Sequence, residues 1–392
     1  MIAQRSKNKQ VNPLPFAVYF WTFAGLALAG LANAIYLSVS HYRVYIDPAY
    51  ESFCAISKAV NCDTVSQSPY SIFLGVPVPV WGVIGFVFVL LFLPFAAGKS
   101  AQKKRMWPIL FLILMGYSVY SVILAAISSF IIHSYCIMCL LSFAITFLLT
   151  YFTWVIRCRF EPCGITEAVR MDLRFLLERK GQTVGIFSIF FAGLILTMVL
   201  FPVYWSFQPA EVTTSVQSGE TADGHPWIGN PDAEIVITEY TDYLCFQCNK
   251  THYYLRKMMA KYPDKLKIVH RHFPMDHRVN PLVKVPVHHG SGALAMMAIY
   301  AQTRGKFWDM NDYLFANARA VDQIDLKSAA EAAGLDVRGL AGAFSDQEIL
   351  RKLRSDIIAG LKTGVRGTPT FNINGSLYSG QLPMAVLLKI AE

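Results

Sequence analysis

Apolar residues crowd into five stretches of this chain, roughly Phe16–Val39, Val76–Ala97, Trp107–Ile127, Tyr135–Ile156 and Val184–Phe207. None of them contains Asp, Glu, Lys or Arg. About 20 consecutive apolar residues are what an α-helix needs to cross a bilayer, so each stretch is expected to span one. Pro77 and Pro79 open the second with an extended or kinked approach, because proline lacks a backbone donor and clashes inside helices. Before them Ser66–Leu74 mixes polar and aromatic positions and is expected to lie along the membrane surface as a lid.

Beyond the fifth stretch the pattern changes. "QPAEVTTSVQSGETADGHPW" is poor in hydrophobic residues and reads as a flexible linker over 208–227, with an end-to-end distance of about 25 Å. From about Ile228, "EIVITEY" alternates as a buried strand does, "CNKTHYYLRKMMAKY" has helical periodicity, and "LKIVHRHF" gives a second strand. A helical block follows over Gly292–Lys362, with breaks expected at Gly305 and Gly334. "TPTFNING" then ends a strand in an Asn-Gly turn before a final helix. The expected fold is an α-helical membrane bundle, a four-helix core plus a fifth transmembrane helix, followed by an α/β domain with a helical insertion. Its divisions are a cytoplasmic tail (1–13), the four-helix domain (14–156), a basic segment (157–183), the fifth helix (184–207), the linker (208–227) and the α/β domain (228–392).

Of the 392 residues 54% are hydrophobic and 16% charged, a shift from the soluble average toward membrane proteins. The net charge of +9 would suit nucleic acid if it were gathered on the soluble domain, but it is not. Basic residues collect in the N-terminal tail, in "GKSAQKKR" after the second span and in Arg157–Lys180 after the fourth. The Ser40–Val76 loop holds only Arg43 and Lys58, and the turn between the third and fourth spans holds none. Under the positive-inside rule the N-terminus is cytoplasmic, and the loop after the first span, the start of the fourth span and the α/β domain all face outward. The first apolar stretch is too long for a signal peptide's apolar region and lacks a small-residue cleavage site, so it reads as a permanent anchor.

That topology divides the eight cysteines. Cys158 and Cys163 fall in the cytoplasmic basic segment and are expected to stay reduced. The other six face outward in three pairs, where disulfides persist. Cys136 and Cys139, three apart at the start of the fourth span, share a helix face, and a helix N-terminus stabilises a thiolate there. Taken alone they are also compatible with two packed cysteines. Cys54 and Cys62 taken alone fit a structural loop disulfide; beside an outward-facing CxxC they fit a mobile dithiol. Cys245-Phe246-Gln247-Cys248 lies between a strand and a helix, the arrangement of thioredoxin-type redox sites. Far downstream Thr368-Pro369 precedes a strand, as the cis proline beside such a CxxC does, and Glu239 is expected as a buried acid beneath it that accepts the Cys248 proton. His270, His272, His277, His288 and His289 read as strand-edge and surface histidines at no trusted zinc spacing; no metal is expected.

"CAISKAVNC", "NCDTVSQSPYSIFLGVPVPVWG" and "SYCIMC" stand in the order and on the spans of the bacterial branch of the vitamin K epoxide reductase family, which residues 14–156 resemble. "ITEYTDYLCFQC", "GKFWDMNDYLF" and "VRGTPTFNING" resemble DsbA-like thioredoxin-fold oxidoreductases over 225–392. The first resemblance implies that Cys139 is the thiol next to a membrane quinone, ubiquinone or menaquinone. It also implies that Cys136 faces the loop, that Cys62 attacks the Cys136–Cys139 disulfide and that Cys54 exchanges with the thioredoxin-like domain. Phe143 stands where some relatives carry a tyrosine toward the quinone. The second implies that Cys245 is the exposed nucleophile for client proteins and Cys248 the resolving thiol; its Phe-Gln replaces the pair that gives DsbA a histidine between its cysteines.

The expected function is therefore a quinone-dependent, disulfide-generating enzyme of the bacterial inner membrane, with reduced secreted or periplasmic proteins and membrane lipid as partners and no nucleic acid. Two alternatives stay open at this point, a reductive or isomerising relay and a non-enzymatic, membrane-tethered peptide binder.

Overall fold

The computed structural model describes residues 14–57, 59–97, 105–160, 164–205, 216–317 and 324–391. The expected tail 1–13, most of "GKSAQKKR", Cys163 and linker positions 208–215 lie outside the described residues. The chain divides into two compact units, the first ending at Val203 and the second running from Tyr204 with Tyr45–Tyr50.

In the first unit the apolar stretches form α1 (Phe16–Ile46), α3 (Val78–Ala96), α4 (Trp107–Ile127), α5 (Ile137–Phe160) and α7 (Lys180–Leu200), with two short helices between them, α2 (Cys62–Gln67) and α6 (Ile165–Glu178). All five long helices are long and apolar enough to cross a membrane. Hydrocarbon offers no partner for backbone N–H and C=O groups, so a helix that satisfies them internally is the form such stretches take. Phe23, Trp107, Leu110, Leu114, Leu149 and Ile156 make the fully buried centre of this unit. A Cβ on Gly30 would stand 2.3 Å from the Phe86 ring, so α1 and α3 approach as closely as they do because this position is glycine. Phe187 and Phe190 of α7 pack on Phe88 and Phe92 of α3. At the other side, buried Asp172 of α6 accepts the Met106 N–H at 3.0 Å, satisfying a donor at the start of α4.

The loop expected as a lid is folded. Asn61 caps α2 by accepting from the N–H groups of Asp63 and Thr64. A 3₁₀ turn, Pro69–Ser71, leads into a hairpin of β1 (Ile72–Phe73) and β2 (Val76–Pro77). Leu74 and Gly75 both take positive φ at its tip, as a tight two-residue hairpin demands. Pro77 closes an extended strand and Pro79 sits in the first turn of α3, where a missing N–H costs nothing.

The second unit is built on six strands, β3 (Ser218–Glu220), β4 (Pro226–Gly229), β5 (Ile235–Thr241), β6 (Leu266–His272), β7 (Thr370–Ile373) and β8 (Ser376–Ser379), in the order β3-β4-β6-β5-β7-β8. Only β5 and β6 run parallel, joined by α8 (Phe246–Lys261). The helical block becomes α9 (Ser291–Thr303), α10 (Phe307–Asn317), α11 (Leu326–Ala333), α12 (Val337–Gly342) and α13 (Gln347–Thr363), and α14 (Met384–Ala391) follows the sheet. Gly305 and Gly334 break it with positive φ as expected, and the Asn374-Gly375 turn joins β7 to β8.

One expectation is corrected here. Residues 218–227 are not linker: β3 and the first half of β4 fall within them, and β4 pairs with β6 in the sheet. "SGE" has no alternation of its own; pairing supplied by the neighbouring strand makes it a strand.

Candidate active site: three cysteine pairs

Cys54 and Cys62 are joined as a disulfide, their Cα atoms 5.6 Å apart. Both are buried, in an apolar cluster with Leu37 and Cys136. Backbone pairing brings them there. Tyr135 donates its N–H to the Ala59 carbonyl at 2.8 Å, Asn61 donates to the Tyr135 carbonyl at 3.0 Å, and Val60 and Tyr135 form a parallel bridge. One residue beyond each segment stand Cys62 and Cys136, so the register itself sets the loop pair beside the helix pair.

Cys136 and Cys139 are open. A π-helical turn, Ser128–Ile132, and a left-handed His133 end the run of α4, and the chain re-enters at Cys136, just before α5. The Cys139 N–H donates to Cys136 Sγ at 3.1 Å, so the first sulfur caps a helix end with unpaired donors. Cys139 and Phe143 are half-buried on the helix behind it.

For a quinone, an apolar ring with carbonyls needs an apolar wall and a donor or two. Leu37, Tyr36, Val65 and Met138, clustered with the cysteines, supply apolar wall around Cys139. Polar groups are few but present: buried Asn33 of α1 donates through Nδ2 to the Met138 carbonyl at 2.9 Å and to Ser142 Oγ at 2.7 Å, and the Ser142 hydroxyl keeps its own proton to give. The residues fit such a group. Neither Asn33 nor Ser142 is marked by any local pattern; Asn33 reaches across 105 positions to Met138.

The third pair repeats the local device of the second. Cys245 is the N-cap of α8, and the Cys248 N–H donates to its sulfur at 3.4 Å. Cys245 Sγ also lies 3.4 Å from the carbonyl oxygen of Thr368, whose bond to Pro369 is cis. Both cysteines are open. Cys245 is only 7% exposed, packed with Tyr243, Leu294 and Met297, so the expected exposed nucleophile is instead recessed under the Thr368 loop. The hydrogen bond from Cys248 holds the Cys245 thiol below the usual range against the opposing effect of burial, with His288 adding to it, while burial pushes Cys248 well up.

Glu239 is buried on β5 as expected and accepts from His270 Nδ1 at 3.2 Å. Loss of solvent raises its carboxyl to about 7. His270 and His272 are not strand-edge or surface histidines. They lie on β6, a central strand, fully enclosed by Tyr243, Phe307 and Glu239, and burial keeps His270 neutral with a pKa of about 3. No group of three or more His, Cys, Asp or Glu side chains among the described residues has the geometry to hold a metal ion.

Asp242 escaped the sequence, and His288, expected as a strand-edge or surface histidine, is half-buried against it. Asp242, three positions before Cys245, is buried and accepts from His288 Nδ1 at 2.9 Å and Ser291 Oγ at 3.0 Å. His288 is raised to about 8: burial opposes this, and the Asp242 bond and charge outweigh it. The His-His-Gly before α9 was the one available signal. Of the remaining cysteines, Cys158 is exposed at the end of α5 between Arg157 and Arg159.

Residues 21–154 match the vitamin K epoxide reductase family and residues 221–391 match the thioredoxin family. Over 166 residues, 42% of this chain, it is 30% identical to the Na(+)/H(+) antiporter NhaA 1 of Mycobacterium sp. (strain KMS), covering 26% of that protein. It is 26% identical over 165 residues to the Na(+)/H(+) antiporter NhaA of Herminiimonas arsenicoxydans, covering 24% of it. The chain thus spans about a quarter of the length of these relatives. Among solved structures, a thioredoxin-like oxidoreductase from Silicibacter pomeroyi DSS-3 is 21% identical with a TM-score of 0.35, over 43% of this chain and 90% of that one. Wolbachia pipientis alpha-DsbA1 is 21% identical with a TM-score of 0.35, over 44% and 90%.

Proposed function

We propose that this chain, in which a vitamin K epoxide reductase family domain is joined to a thioredoxin-like domain, generates disulfides by passing electrons from client thiols to a membrane quinone. Its coarser description, a membrane-anchored thiol–disulfide oxidoreductase, follows from the two families and the five membrane helices. The finer one divides the work among 14–156, the fifth helix and the thioredoxin-like domain, with the N-terminus cytoplasmic and the six paired cysteines on the outer, periplasmic side of a bacterial inner membrane.

In the proposed sequence a client thiolate attacks Cys245 of the Cys245–Cys248 disulfide and Cys248 leaves. The client's second thiolate then attacks the client sulfur and frees Cys245, so two electrons have moved. Cys245 next attacks Cys54 of the Cys54–Cys62 disulfide; Cys248, its proton taken by Glu239, attacks Cys245, closes that pair and frees Cys54. Cys62 attacks Cys136, displacing Cys139, and Cys54 resolves by attacking Cys62. A quinone near Cys139 would take the electron pair with two protons as a quinol. In sum, one client dithiol and one quinone give one client disulfide and one quinol.

The observation that carries this is the backbone register pairing Ala59–Asn61 with Tyr135, which sets the loop disulfide beside Cys136 in one buried cluster. A thioredoxin-like domain carried on the same chain also needs little affinity of its own, since tethering makes the encounter intramolecular.

The test is stoichiometric. Purified protein receives a reduced cysteine-pair peptide and a soluble quinone, with quinone absorbance and peptide thiols followed together. One quinone consumed per peptide disulfide, lost in Cys139→Ser, is expected; peptide oxidation without quinone turnover refutes the proposed acceptor.

A further inference from the structure

The CxxC of the thioredoxin-like domain carries Phe246 and Gln247 between its cysteines, neither of which offers a charge to a sulfur. His288 nevertheless reaches Asp242, three residues before Cys245, on an irregular segment between β6 and α9 that starts far downstream in the chain. That segment is pinned at both ends to one carboxylate. Asp242 Oδ2 accepts the Met275 N–H at 2.6 Å, the His288 ring at 2.9 Å and the Ser291 hydroxyl at 3.0 Å, while Oδ1 takes the Leu244 N–H at 2.7 Å. The His288 N–H returns to the Met275 carbonyl at 3.4 Å, and Asp276 accepts the Gly290 N–H at 2.9 Å, closing the segment on itself.

Asp242 is 1% exposed. Four donors hold this carboxylate in place, and it orients the imidazole by Nδ1, leaving Nε2 for another partner. Asp242 is tied in turn to the nucleophile: its carbonyl accepts the Cys245 N–H at 3.1 Å. Asp242 therefore holds the His288 ring through its carboxylate and the Cys245 backbone through its carbonyl, so histidine and thiol are both fixed to one residue.

We propose that His288, oriented by Asp242, is the counter-charge of the Cys245 thiolate, a positioning residue that supplies from outside the CxxC what Phe246 and Gln247 do not. When an attacking thiolate takes the partner sulfur of a Cys245 mixed disulfide, the bond's electron pair stays on Cys245 Sγ, and the imidazolium stabilises it without giving up its proton. The inference rests on thiol–disulfide exchange at Cys245. The other charged groups are Asp242 itself, whose charge opposes that of His288 at Cys245 with the smaller effect, and Asp276, His277, Arg278 and His289 on the same segment; Asp276 is engaged by Arg278 and the backbone, and His289 is exposed.

The test is the pH profile of Cys245 alkylation in the full-length, reduced protein in detergent, with the other five paired cysteines as serine. His288→Gln is expected to slow alkylation at pH 6 roughly three- to tenfold, by raising the thiol pKa as loss of an adjacent opposite charge does. His289→Gln, one residue on and exposed, is expected to match the parent. His288→Lys keeps a cation that does not titrate in this range; it should restore part of the rate at pH 6 and remove the inflection near about 8 that His288 gives the parent. Profiles of His288→Gln and His289→Gln that coincide with the parent overturn the proposal. The exchange reading is tested apart, by oxidation of the cysteine-pair peptide with the unsubstituted protein: its failure there, with the His288 effect intact, would remove the function and leave the counter-charge.

Discussion

Glu239→Gln isolates the proton step of the thioredoxin-like domain. Cys248 is buried and its thiol is pushed well up, so it attacks a mixed disulfide only if something removes its proton. Glu239 is proposed for that role, and it must be ionised to perform it. With a pKa of about 7, about a tenth of the side chains are ionised at pH 6, about half at pH 7 and about nine-tenths at pH 8. Closure of the Cys245–Cys248 pair should therefore gain about tenfold from this group between pH 6 and 8, and no more above that. Glutamine keeps an oxygen for His270 Nδ1, so the buried hydrogen bond survives while the base is lost. The assay mixes the reduced protein, its four membrane-domain cysteines as serine, with a small disulfide, quenches by alkylation and counts closed pairs by mass. The ratio of parent to Glu239→Gln rates cancels the pH dependence of the thiols themselves. It is expected to climb about tenfold through pH 7 and level off. His270, near about 3, stays neutral across the window, and Asp356, raised to about 6 mainly by burial, titrates below its centre. Asp356→Asn should leave the midpoint where it is. A ratio flat from pH 6 to 8 would sink the assignment of Glu239.

In the membrane unit, Gly30→Leu forces a side chain into the Phe86 ring. It is expected to cost about 1–3 kcal/mol and to lower the detergent melting temperature; Gly25→Leu, with nothing within 4 Å, should change it little. Asn33→Ala removes both hydrogen bonds that tie α1 to the Cys139 turn. About 1–2 kcal/mol is at stake, and quinone reduction should slow while peptide exchange at Cys245 keeps its rate. Asn61→Ala strips the cap of α2 at a cost of about 1 kcal/mol; faster reduction of the Cys54–Cys62 bond by dithiothreitol is the expected readout.

What could be foreseen follows the range of the forces involved. The five membrane helices were legible because lipid imposes a rule on each 20-residue window separately, and Gly305, Gly334 and Asn374-Gly375 because a positive φ is a local demand. β3 was not, since Ser218–Glu220 becomes a strand only when β4 is beside it. His270 and His272 were misplaced for the same reason: "LKIVHRHF" does not say that its strand is central, between β4 and β5, or that Tyr243 and Phe307 cover those rings. Asn33 and the Asp242–His288 pair join positions 105 and 46 apart, distances at which periodicity carries no information.

The two CxxC pairs show where local chemistry ends and placement begins. In both, the first cysteine stands at a helix start and its sulfur accepts the N–H of the second. Sequence alone predicts that device, since a CxxC opening a helix has no other way to satisfy that donor so cheaply. A sulfur so placed is favoured as a thiolate and hence as a leaving group. Identical devices would give identical tendencies, and electrons would have no reason to move from one to the other. Their surroundings differ instead. Around Cys245 are Asp242, His288 and the Thr368 carbonyl, a polar wall that can follow charge. Around Cys136 are Leu37 and the Cys54–Cys62 disulfide, with Met138 alongside, an apolar, sulfur-rich wall. The first setting suits exchange with varied client thiols; the second suits a single fixed partner. A directional relay built from one repeated motif needs that difference, and much of it is supplied by residues far off in the chain, His288 and Thr368 around Cys245 and Leu37, Cys54 and Cys62 around Cys136.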